Sequence, residues 1–101
     1  MRELPQEITI GPLPYTIKEV SSLRDEKGGE LWGALDRDNA TIFIEQEQPY
    51  SLKCVSLLHE ILHEINVQAD LGLSENKVKR LAYHIAGVLR YLPTCFLLTT
   101  S

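Results

Sequence analysis

A chain of 101 residues that is 44% hydrophobic and 24% charged has the composition of a globular protein rather than of a disordered tail. Its length suits one domain spanning residues 1–101. The formal net charge of -4 comes without any Lys/Arg block, so neither nucleic acid nor a membrane surface is an expected partner. The opening residues, Met1 to Glu7, are polar and acidic, and no apolar run is long enough to cross a bilayer, which makes the cytoplasm the expected location. Cys54 and Cys95 have no paired framework and read as small apolar residues rather than as a disulfide.

The first half reads as β structure. Residues 7–10, 15–20, 31–35 and 40–45 are short, β-branched or aromatic, and partly alternating. Breakers separate them: Gly11-Pro12-Leu13-Pro14 can turn the first pair, residues 25–29 form a polar loop, and Asp36-Arg37-Asp38-Asn39 suits a tight turn. The simplest outcome is a small, mainly antiparallel, meandering sheet.

After Pro49-Tyr50 the apolar spacing changes from a period of about 2 to about 3.6, which predicts two helices. The first runs from Leu52 to about Ala69, capped by Ser51 and stopped at Asp70-Leu71-Gly72, with Gly72 in the left-handed conformation. Ser74 is placed to cap the second. That helix carries Val78, Leu81, Ala82, Ile85, Val88, Leu89 and Leu92 on one face and ends before Pro93. The tail, residues 94–101, is apolar enough to pack on the domain or on a partner. The expected class is therefore α+β: a sheet, then an active-site helix, then a second packed helix.

His59-Glu60-Ile61-Leu62-His63 carries the chemistry. Residues four apart on a helix lie one turn above each other, so two imidazoles can grip one ion. With His59 at zero and about 100° per residue, His63 falls near ~40°, Glu60 near ~100° and the apolar arc near ~200° to ~320°. The histidines thus border the core, and Glu60 is expected to point further toward solvent. Two neutral imidazoles and one further ligand leave a position for water, whose pKa zinc (Zn2+) can lower to about 7. Glu60 is the candidate catalytic residue, taking the water proton and passing it to a leaving amine.

The third ligand is sought on the second helix, where Glu75 and His84 are available. Glu75 is favoured because Ala82 and Ala86 lie near it on the helical wheel, and small residues let another helix approach closely. Glu64, near ~140° on the first wheel, faces away from both histidines. Tyr83, His84 and Tyr91 are the side chains available to support a developing oxyanion, and the edge of residues 40–45 could hold an extended substrate.

The run Leu57-Leu58-His59-Glu60-Ile61-Leu62-His63 resembles small phage-encoded minimal zincins related to ImmA/IrrE-type metallopeptidases. Leu31-Trp32-Gly33, Thr41-Ile42-Phe43-Ile44 and Glu75-x-x-Val78-x-x-Leu81-Ala82 extend the likeness over nearly the whole chain. The resemblance implies a minimal zincin-like fold, with His59, His63 and Glu75 as zinc ligands and Glu60 as general base. It implies a protein or peptide substrate in the cytoplasm of a bacterial host. The larger relatives carry further segments for their substrates, and this short chain has no obvious lid. The expected function is zinc-dependent peptide hydrolysis. The alternative is a non-catalytic zinc-stabilised module acting through protein-protein contacts, including contacts with further copies of itself as a homo-oligomer.

Overall fold

The computed structural model describes residues 3–89 together with 91 and 92. The class is α+β, a four-stranded mixed sheet followed by two packed helices. The strands are β1 (Glu7–Ile10), β2 (Leu13–Val20), β3 (Gly33–Asp36) and β4 (Thr41–Glu45), and the helices are α1 (Tyr50–Gln68) and α2 (Glu75–Leu89). The apolar tail and Cys95 lie outside the described residues.

The sheet is not the expected meander. Its order is β1-β2-β4-β3, so β4 inserts beside β2 in parallel while the outer pairs β1·β2 and β3·β4 are antiparallel. Burial explains the exchange. Thr41, Ile42, Ile44 and Glu45 of β4 are all buried, whereas every residue of the shorter β3 keeps some exposure. A strand so thoroughly covered is more stable inside the sheet than at its edge. β4 therefore offers no free edge to a substrate. Among the described residues the open edges belong to β3 and β1.

Gly11, at φ +58, allows the tight β1–β2 turn, and Leu13 and Pro14 join β2 instead of the turn. The β3–β4 turn is organised by Asp36, whose carboxylate accepts the Asn39 backbone N–H and its side-chain amide, and Ala40 takes φ 48.

The core joins Leu4, Ile10, Tyr15, Ile17, Ile42, Ile44 and Leu57, with Cys54, Ile61 and Ile65 of α1 packed against it. α1 lies on the sheet and α2 lies on α1, burying Val78 and Ala82 completely. Leu81, Val88 and Leu89, expected on the packed face of α2, remain exposed.

The helix ends differ from expectation at two points. α1 begins after Pro49 with no side-chain cap, so Ser51 lies within the helix. It ends in a Schellman motif: the Asp70 N–H donates to Val67 O and the Leu71 N–H to Asn66 O. The left-handed residue that closes this motif is Asp70, at φ 51; Gly72, two positions on, is left-handed as expected, at φ 65. Ser74 caps α2 as its type suggests, its hydroxyl accepting the Lys77 N–H at 3.3 Å. No helix among the described residues is long and apolar enough to cross a membrane.

Candidate metal centre

His59 and His63 stand one turn apart on α1, half-buried, with ring centroids 4.7 Å apart. Glu75, the first residue of α2, reaches across with both oxygens. Its Oε1 lies 2.8 Å from His59 Nε2 and its Oε2 lies 2.7 Å from His63 Nε2. The two Nε2 atoms are themselves 2.9 Å apart. Three ligand-type atoms from two helices thus converge within 4.8 Å, a group that could hold a metal ion.

The segment between the helices sets this approach. Asn66 clamps it, its Nδ2 donating to Leu73 O at 3.0 Å and its Oδ1 accepting the Leu73 N–H at 2.9 Å. Ser74 then caps α2, and Glu75 follows directly. Asn66 was not singled out by sequence. Its only local signal is a polar residue in the last turn of an apolar helix, which periodicity reads as surface.

His84, the other ligand candidate on α2, does not join the group. Its Nδ1 lies 2.8 Å from Arg80 O, and its ring meets the edge of Tyr83. Glu64 is also elsewhere. It is fully buried, and its carboxylate accepts Arg37 Nε at 2.6 Å and Gln68 Nε2 at 2.6 Å, with the Tyr15 hydroxyl as a further donor. The Arg37 hydrogen bond is the main reason this carboxyl is held below its usual range. Gln68 also donates to Ile10 O, so the cluster ties α1 to both β1 and the β3–β4 turn. Gly11 makes room, because a β-carbon there would collide with Gln68 Oε1.

Glu60 corrects the helical-wheel expectation. It does not point toward solvent; at 9% exposure it is buried between α1 and the start of β3. Burial, and secondarily the charge of Glu75, pushes its carboxyl up to about 7. The reason is the breadth of the sheet contact. The sheet covers the apolar arc and also the adjoining carboxylate side of α1, where Gly33 and Arg37 receive Glu60 and Glu64.

The group opens into a cleft of about 600 Å³ lined by Trp32 and Gly33 on one side, by His59, Glu60 and His63 of α1, and by Glu75 of α2. Tyr83 also lines it, alone among the three side chains considered for oxyanion support. Tyr91 is exposed past the end of α2. Comparison with protein-family models, with curated proteins and with solved structures finds no match to this chain.

Proposed function

We propose that the chain is a zinc-dependent metallopeptidase of minimal zincin type, in which His59, His63 and Glu75 hold the ion and Glu60 acts as general base. The observation that carries the reading is that one carboxylate from α2 meets both imidazole Nε2 atoms of α1, at 2.8 and 2.7 Å, in the cleft that Glu60 also lines. Two imidazoles and one carboxylate form the donor set of hydrolytic zinc sites, so the residues fit the group by chemistry. The likeness of His59-Glu60-x-x-His63 to ImmA/IrrE-related proteins supports the same assignment.

Zinc, when bound, supplies a Lewis acid that brings the pKa of a coordinated water to about 7. Glu60 takes the proton of the attacking water. The water oxygen adds to the peptide carbonyl carbon, and Glu60 returns the proton to the amide nitrogen as the C–N bond breaks. The remaining proton of the water passes to the amine, so a carboxylate and an ammonium group leave. Tyr83 lines the cleft and can offer its hydroxyl to the developing oxyanion, whereas the Ser56 hydroxyl there is given to Gln48 Oε1. The free edge of β3, whose first residue lines the cleft, offers backbone groups to an extended substrate.

A second reading rests on α2, which buries only Val78 and Ala82 fully among its described residues. A metal shared between α1 and α2 would hold such a lightly anchored helix, and the chain would then be a zinc-stabilised binding module. Incubation of the zinc-loaded chain with a mixed peptide library separates the two. The enzyme reading expects cleavage products that vanish in Glu60→Gln while zinc is retained. Absence of products from the zinc-loaded chain favours the module.

A further inference from the structure

Leu52, Val55 and Ser56 continue the stripe of α1 that carries the two histidines. With His59 at zero, they fall near ~20°, ~320° and ~60° on the helix, and His63 near ~40°. All five residues line the same cleft. Leu52 lies seven residues, about 10 Å, from His59 along the helix axis. The cleft therefore runs from the metal centre toward the N-terminal end of α1, where Leu52 and Val55 add apolar surface beside the polar Gln48, Ser56 and Glu30.

Trp32 stands on the wall that β3 begins. The residue is 59% exposed and Leu52 is 49% exposed, which is unusual for large apolar residues placed together in a concave site. Its backbone is nonetheless anchored. The Trp32 carbonyl accepts the Glu45 N–H at 2.9 Å and Gln48 Nε2 at 3.1 Å, and Gln48 Oε1 accepts the Ser56 hydroxyl at 3.3 Å. Gln48 thus braces the two walls against each other, and the apolar end of the cleft is built before any ligand arrives.

We infer that this end of the cleft is a specificity pocket, in which Trp32, Leu52 and Val55 hold a large apolar or aromatic side chain of the peptide close to the scissile bond. The inference rests on the metallopeptidase reading, because the metal centre is what fixes the cleft's inner end. An extended peptide advances about 3.3 Å per residue, so the pocket is reached by a side chain within two or three positions of the bond cleaved. Gln48 is a positioning residue for Trp32.

The test uses two probes that differ only by a tethered ring, acetohydroxamate and 4-phenylbutanohydroxamate, titrated calorimetrically into the full zinc-loaded chain. Trp32, the single tryptophan, gives a fluorescence signal from the pocket itself. The phenyl compound is expected to bind at least about tenfold more tightly, as burial of one aromatic ring implies. Leu52→Gln, at a position 49% exposed, is expected to fold as wild type and to bring the two affinities together without changing zinc content. Equal affinities in a chain that carries zinc overturn the pocket and leave the metal centre standing. A chain that takes up no zinc overturns both.

Discussion

The Glu60 carboxylate is packed against the backbone of Gly33: a β-carbon at residue 33 would stand 3.2 Å from Glu60 Oε2 and 3.3 Å from its Cγ. A side chain at that position would crowd the carboxylate out of the shelter in which its pKa rises to about 7. Burial of an acid without a paired cation costs folding energy, and it is tolerated where that acid has chemistry to perform.

Glu60→Gln is accordingly expected to stabilise the metal-free chain at neutral pH. The folded state keeps the Glu60 proton up to about 7 while the unfolded chain loses it near the ordinary 4.5, so wild-type stability falls as pH rises through that window. Glutamine has no proton to lose. The gain over wild type at pH 8 should be roughly 1 to 3 kcal/mol, shrinking to near zero at pH 4. Urea unfolding in the presence of chelator, at both pH values, measures it; equal stabilities at pH 8 would contradict the burial.

Asn66→Ala removes both hydrogen bonds that clamp Leu73 and leaves the Leu73 N–H and carbonyl without those partners. A loss of about 1 to 2 kcal/mol in folding stability is expected. Zinc affinity should fall as well, because Glu75 follows the clamped segment by two residues. Competition with a chromogenic chelator reads the affinity, and unchanged zinc binding would separate the clamp from the site.

The carboxylate of Glu64 is fully buried and takes its main stabilisation from Arg37. Arg37→Met strands that charge, whereas Arg37→Met combined with Glu64→Met removes it. The single variant is expected to be less stable than the double variant, and a thermal melting series of the two with wild type establishes the order. The reverse order would mean that Tyr15 and Gln68 suffice for the carboxylate.

The local sequence signals and the long-range ones behave differently here. The 3.6 period after Pro49, the Ser74 cap and the four short β-branched runs are local, and each marks an element found in the fold. The placement of β4 inside the sheet depends on a competition between two strands for cover, which β3 loses through its small, half-exposed residues. The best hint was the nearly continuous apolar run of β4. Around the metal centre, the i, i+4 spacing of His59 and His63 and the alanines near Glu75 could be read from helical geometry. That Glu64 faces away from the histidines could be read too; the burial of Glu60 and Glu64 and the clamp made by Asn66 could not, because a wheel divides a helix into apolar and polar faces. The partners that decide these three residues, Gly33, Leu73 and Arg37, lie from 7 to 27 residues away in sequence.

The metal content of the purified chain, measured by native mass spectrometry at neutral pH for wild type, Glu75→Ala and His84→Ala, decides whether His59, His63 and Glu75 hold an ion together. About one zinc per chain is expected in wild type and in His84→Ala, with occupancy markedly reduced in Glu75→Ala. No bound metal in wild type, or zinc lost in His84→Ala and kept in Glu75→Ala, would contradict it.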